Sequence, residues 1–260
     1  MPKLIDLTRQ LRIQEKLPPF AQPLVRILNP GIEYVSHQQG AKIMEQIFGC
    51  QSSDLPECEG WAEENLILSS HLGTHVDAPW HWGSRCLGEK ALTVENIPLE
   101  ELFCDGVVLD LTSKNNTGAA IEVSDLVEAL ERIPYQIRQG DAVLLRTGHD
   151  KYDLSDPRYY NYPGLIGESA LYLAKSGARV GGTDALGWDR PFLKMVADFQ
   201  RTRNKDLIWD AHYALRNYRF YVVQQLANLD KLPSCGFKVG FFPLPLAGAS
   251  AAPARVVAFL

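Results

Sequence analysis

The sequence predicts a mixed α/β domain, a β-sheet core with packed helices, and three observations predict it. Short runs rich in Val, Ile, Leu and Phe recur along the chain, bounded by Gly, Asp or Pro. Segments with helical periodicity and capping residues lie between them. The alternation is too irregular for a (β/α)8 barrel.

Taken in order, residues 1–60 read as an arm. Pro18, Pro19, Pro23 and Pro30 break any long helix, which leaves irregular chain with one helix over 40–48. Such an arm can wrap a neighbouring subunit. The domain proper then spans 61–260. Its strands are expected at 65–69, 106–111, 142–146, 238–242 and 254–259. Ser124 is an N-cap candidate for a helix over 125–132, with Leu126, Val127 and Leu130 on one face. A second helix over 168–176 is closed by Gly177 in the C′ position, and a third covers 189–203.

Composition excludes several classes. The chain has 260 residues, 46% hydrophobic and 22% charged, with net charge −5, an ordinary globular mix. No basic block or basic helical face offers a nucleic-acid surface. The start, Met1-Pro2-Lys3-Leu4-Ile5-Asp6, lacks the apolar stretch of a signal peptide, and no run reaches the length of a membrane span. Cys50, Cys58, Cys86, Cys104 and Cys235 are odd in number, scattered and form no C-x-x-C pair. They read as reduced thiols in a cytoplasmic protein, with Cys50 and Cys58 the one pair near enough to check.

The chemistry concentrates at residues 71–81. Three of the six histidines, His71, His75 and His81, fall in this segment with Asp77. Imidazole and carboxylate are the ligands that suit Zn2+, Mn2+ or Fe2+. Neither regular geometry gathers them. A helix puts His71 and His75 on one face but turns Asp77 away. On a straight strand His71 and His75 would stand roughly 13 Å apart, too far to share an ion. A chain reversal is therefore required, and Gly73 permits it, with Pro79 fixing the exit. The plain alternative is a polar loop of satisfied histidines. No G-x-S-x-G element or phosphate-binding loop is present, and Gly181-Gly182-Thr183 is too short to mark a nucleotide site.

The segment His71-Leu72-Gly73-Thr74-His75-Val76-Asp77-Ala78-Pro79-Trp80-His81 resembles the signature H-x-G-T-H-x-D-x-P-x-H of the cyclase family of metal-dependent hydrolases. That family includes bacterial kynurenine formamidase, isatin hydrolase and trans-dienelactone hydrolase. Every fixed position matches, and the resemblance continues through Gly182-Thr183-Asp184, His212, Asn228-Leu229 and Phe242-Pro243-Leu244. It implies a swivelling β/β/α-type domain, assembled as a homodimer or homotetramer. It also implies metal binding by the first two histidines and the aspartate, with His81 as the proton-transfer residue. In the kynurenine formamidases a downstream histidine, matched here by His212, and a glutamate twelve residues later complete a second metal site. This chain has Gln224 at the latter position. A neutral amide cannot bridge two cations as a carboxylate does. The pattern therefore fits one divalent ion per chain, Mn2+ or Zn2+, held by His71, His75, Asp77 and Gln224 as in the isatin hydrolase branch, with His212 free to meet substrate.

The activity so implied is hydrolysis of a cyclic amide or ester, an isatin-like lactam or a dienelactone, by metal-activated water with His81 as general acid and base. Kynurenine formamidase is the alternative within the class; a non-catalytic, metal-organised protein binding a small acid is the alternative outside it. A purely structural metal site would be richer in Cys. The substrate is expected to be a small molecule, aromatic or carboxylate-bearing. Trp80 beside His81 could stack on it, or serve as core filler. Phe20 and Trp188 are further pocket candidates, and Arg146 and Arg216 could meet a carboxylate. Asp184 either orients a ligand or caps a turn. His37 and His149 carry no motif and read as structural.

Overall fold

The structure is a computed structural model that describes residues 2–114 and 118–260. Eight strands make its core: β1 (Leu4–Asp6), β2 (His75–Asp77), β3 (Phe103–Asp110), β4 (Ala142–Arg146), β5 (Val180–Thr183), β6 (Tyr221–Gln224), β7 (Phe237–Pro243) and β8 (Ala251–Phe259). They lie in the order β1-β8-β7-β3-β4-β5-β6-β2, and β2 pairs back onto β8 to close a barrel. β3, β4, β5 and β6 run parallel to one another. β7 is antiparallel to both its neighbours, and β2 is antiparallel to β6 and β8. β8 is long enough to pair with β2 over residues 251–253 and with β1 over 257–259. Two short strands thus fill one seam end to end.

Alternation along the strands sorts the core into two compartments. Val76, Val108, Leu144, Val223, Val239 and Val256 point into the barrel. Their neighbours Val107, Leu109, Val143, Leu145 and Val222 point outward, beneath helices. Those helices are the parallel crossovers. With α1 (His37–Phe48) in the N-terminal segment, α2 (Val123–Glu131) joins β3 to β4 and α3 (Gly167–Lys175) joins β4 to β5. α4 (Phe192–Thr202) and the short α5 (Asp210–Ala214) together join β5 to β6. Leu126 of α2, Ala170 and Leu173 of α3 and Ala211 of α5 close the outer layer. The Gly181-Gly182 pair is a packing requirement. A Cβ at Gly181 would meet the Trp188 ring at 2.3 Å, and one at Gly182 would meet Leu144 at 2.7 Å.

The mixed α/β architecture expected from the sequence is the one found. Strand 142–146 is found as read, and 106–111, 238–242 and 254–259 fall in β3, β7 and β8 with extended ends. Other details differ. The expected strand over 65–69 is Glu63–Ile67, and it pairs with Gly31–Val35 in a separate two-stranded hairpin. Its Leu66 and Ile67 are 57% and 82% exposed, so it is not a core strand. The segment expected as an arm begins inside the barrel, because Leu4–Asp6 completes the seam beside β8. α2 starts at Val123, not after Ser124, since the Asp125 carboxylate accepts the Glu122 N–H at 2.7 Å and closes the first turn earlier. α4 starts after Pro191, which leaves Asp189 outside the helix. The cysteines are all free, Cys50 and Cys58 included. No helix of the described residues is long and apolar enough to cross a membrane.

Candidate metal centre and its cavity

The reversal that the sequence required is present. Leu72 N–H donates to Ser69 O at 3.1 Å, and His71 N–H to Ser69 Oγ at 3.2 Å. Gly73 then adopts φ +63°, where a Cβ would also sit 2.4 Å from a Leu11 methyl. The chain enters β2 directly afterwards. His71 Nδ1 thereby comes 2.8 Å from Asp77 Oδ1, and His75 Nε2 comes 3.3 Å from the same oxygen.

Strand parity does the rest. Val76 points into the barrel, so His75 and Asp77 point outward together and are buried under the crossover layer. Across the antiparallel pair, Gln224 of β6 lies opposite His75 and Val222 opposite Asp77. Gln224 Nε2 donates to Asp77 Oδ2, while its Oε1 accepts the Trp188 N–H at 3.2 Å. His75 Nδ1 is anchored on Gly73 O at 2.7 Å, which leaves Nε2 with its lone pair toward Asp77. Residues 79–81 make one tight 3-10 turn, and this swings the His81 ring to 4.0 Å from the His71 ring. Among the described residues no hydrogen bond anchors the His81 ring; ring contacts to His71 and, at 4.8 Å, Trp209 hold it.

From the other side, α5 brings His212. Its Nδ1 donates to Asp189 Oδ2, whose Oδ1 accepts the Ala211 N–H at 2.7 Å. Its Nε2 lies 3.7 Å from Asp77 Oδ2. Trp209 stacks on the His212 ring, with centroids 4.4 Å apart and planes 25° apart. Trp209 holds φ +54°, a backbone state that a bulky side chain adopts only when its surroundings impose it.

Electrostatics follow from this crowding. Burial works against an Asp77 charge, but the adjacent His75 and His81, with the His212 and His71 imidazoles close by, outweigh it and hold its pKa well below the carboxylate range. Burial lowers His212, yet the Asp189 carboxylate overrides it and raises the imidazole to about 9. Burial, reinforced by the neighbouring histidines and only partly opposed by Asp77, pushes His81 down to about 3. His81 is therefore neutral at pH 7, the form that accepts a proton.

The donor set fits a divalent cation. His71, Asp77 and His81 each offer one ligand atom, all within 4.8 Å of one another, a cluster able to coordinate such an ion. His75 Nε2, Asp77 Oδ1 and His212 Nε2 are buried without a hydrogen-bond partner. Buried polar atoms left unpaired in this way are costly unless something else satisfies them.

A cavity of 610 Å³ opens over these groups, within the range of small-molecule sites. His71, His75, His81, His212 and Gln224 line one end of it, and Phe20, Trp188 and Trp209 are among its apolar walls. His71, His75, His81, His212, Gln224, Phe20 and Trp188, all singled out from the sequence, thus come together here beside Asp77. Trp80 does not line the cavity. The turn at 79–81 directs it away from His81, and the Lys90 ammonium lies 5.8 Å over its ring. Arg146 instead pairs with Asp110 at 3.0 Å, and Arg216 donates to Trp82 O at 2.8 Å. Asp184 caps the loop after β4, accepting the Thr147 N–H at 2.9 Å and the Gly148 N–H at 2.8 Å. Trp209, and Asp189 as the partner of His212, were not legible as site residues. Residues 189 and 212 are joined only by tertiary packing, and nothing in the local sequence of Trp209 marks its unusual backbone.

Residues 5–190 match the sequence profile of a family described as "Putative cyclase". Isatin hydrolase from Roseibium aggregatum is 25% identical over 203 residues, covering 75% of this chain and 73% of that protein. Kynurenine formamidase from Maricaulis maris is 29% identical over 194 residues, covering 74% of this chain and 78% of that protein. The structure of isatin hydrolase A from Labrenzia aggregata bound to benzyl benzoate superposes with a TM-score of 0.75 at 25% identity, covering all of this chain and 94% of that one.

Proposed function

We propose that this chain, which belongs to the cyclase family and has its metal-dependent hydrolase fold, hydrolyses a cyclic amide or ester such as an isatin-like lactam or a dienelactone. The observation that carries this reading is the convergence of imidazoles on one buried carboxylate, Asp77, at the end of a largely apolar cavity.

In this reading His71, His75 and Asp77 hold one divalent ion per chain, Mn2+ or Zn2+. A half-turn of the Gln224 amide would add its oxygen as a fourth ligand, in exchange for the Trp188 N–H that this oxygen now accepts. His75 is assigned as a ligand because Gly73 O fixes its ring with Nε2 unpartnered. His81 is assigned to proton transfer because its ring, held only by ring contacts, is free of such an anchor and opens on the cavity. An ion held there supplies Lewis acidity toward the substrate carbonyl and toward water. His81 accepts the proton of the attacking water and returns it to the leaving nitrogen or oxygen. His212, fixed by Asp189, presents Nε2 to the side of the site across from His71. Trp209 and Phe20 bracket the substrate's apolar part and exclude water. For assembly the reading keeps a homodimer or homotetramer, supported by exposed Tyr34 and Phe48 in the N-terminal segment and Leu66 and Ile67 in the strand that pairs with it.

A kynurenine formamidase activity is the second reading, favoured by the relatives of that name. Gln224, in place of a carboxylate, counts against it. Assays of the purified chain on isatin, N-formylkynurenine and dienelactones, run beside metal analysis, test both. Turnover of N-formylkynurenine alone, with two metal equivalents, would replace the first reading by the second.

A further inference from the structure

Building on that hydrolase reading, and choosing within it the isatin-like lactam over a carboxylate-bearing dienelactone, we infer that the cavity selects substrates that are uncharged and predominantly apolar, and rejects those with a free carboxylate. The residues of its walls carry this selectivity. Phe20, Ile27, Trp188, Phe192, Leu193 and Trp209 give it an apolar surface. Among the described residues that line it, Arg190 is the sole Lys or Arg. Its charge is already balanced. Nη1 donates to Asp198 Oδ2 at 2.9 Å, Nη2 lies 3.8 Å from Asp210 Oδ1, and Nη2 also donates to Leu207 O at 3.4 Å. Its Nε is buried and unpartnered, which suits a neutral carbonyl. Asp189 and His212 form the other charged pair on the wall and balance each other at the metal end. Arg146 and Arg216, the remaining candidates for a carboxylate, are engaged elsewhere by Asp110 and Trp82. A carboxylate entering this cavity would lose its hydration without gaining a counter-ion, unless it reached the metal end itself. A carbonyl bears no such penalty, and flat apolar groups gain contact with the indoles.

Three amides of matched shape test this. They are benzanilide, its 4-carboxy derivative and the methyl ester of that derivative, titrated into the metal-loaded chain while the fluorescence of Trp188 and Trp209 is followed. The two neutral probes should bind at least about tenfold more tightly than the carboxylate, and Asp198→Asn, which frees part of the Arg190 charge, should narrow that gap about threefold or more by tightening the carboxylate alone. Equal affinities for all three, or no binding of the neutral pair, would overturn the inference. Hydrolysis of the same probes is read separately. Preferential binding of the neutral pair without turnover would keep the selectivity and count against the hydrolase reading.

Discussion

Gln224 on β6 stands directly across the strand pair from His75 and gives its amide N–H to Asp77. Its other end accepts the Trp188 N–H, so the amide ties the centre to the cavity wall. Gln224→Ala leaves an Asp77 oxygen and the Trp188 N–H unpaired in a buried site. It should weaken metal binding by about 10- to 100-fold, the usual cost of losing a group that orients a ligand. Competition against a calibrated chelator measures this. Gln224→Glu places a second carboxylate beside Asp77. Without metal it should melt lower than the parent chain, and added Mn2+ should raise its melting temperature more than it raises the parent's.

Asp189 fixes the tautomer of His212 by accepting from Nδ1. Asp189→Asn removes the charge that raises His212 to about 9. The imidazole should then titrate lower by at least about one unit in the metal-free chain, read by NMR of the ring. In the metal-loaded chain kcat should fall about 10-fold or more with KM changed less, because the ring is misoriented while the apolar walls are intact. An unchanged His212 titration would remove Asp189 from this role.

Gly73 is where the chain reverses, at φ +63° and against Leu11. Gly73→Ala should cost about 1–2 kcal/mol of stability from the left-handed backbone alone, and more from the Leu11 clash. The larger effect should fall on metal affinity, since His71 and His75 lie on either side of the reversal. A variant that loses stability but keeps full metal affinity would separate the turn from the site.

His149 gives the chain an acid-sensitive element away from the metal centre. Burial lowers its pKa from the ordinary 6.5 to about 4. The side chain is 1% exposed and Nε2 has no partner. A lowered histidine pKa means that the unfolded chain binds the proton more readily. Its contribution is therefore fully present above pH 6.5 and is lost as pH falls through 4. The loss is at most about 3 kcal/mol. His149→Phe, which keeps a ring against Tyr152, should flatten the stability profile between those pH values, measured by urea unfolding.

What the sequence disclosed, and what it did not, follows the range of the interactions involved. The His71–His81 segment was legible because a short reversal leaves its mark in local order: Gly at the positive-φ turn, Pro at the exit, ligands at fixed spacing. β4 was legible because it is buried on both faces and reads as a continuous apolar run. β2, β5 and β6 escaped for the opposite reason. β2 spends two of its three positions on the site, β5 contains two glycines, and β6 ends in Gln224. Strand 65–69 misled because exposed apolar residues in the outlying hairpin look, in sequence, like core. Trp80 misled because being next to His81 in sequence does not bring its ring to the cavity; the 3-10 turn at 79–81 carries it to the Lys90 side instead. The closure of the barrel by β1 depends on pairing between residues 4–6 and 257–259, at opposite ends of the chain, and no local pattern encodes it.

The account rests on Asp77 gathering ligands around a single cation, and metal stoichiometry tests that most directly. The purified chain, reconstituted with Mn2+, desalted and analysed by mass spectrometry for metal, should carry about one equivalent, while Asp77→Ala prepared identically should carry less than about a tenth of one. A parent chain that retains no metal, or an Asp77→Ala variant that retains a full equivalent, would contradict it.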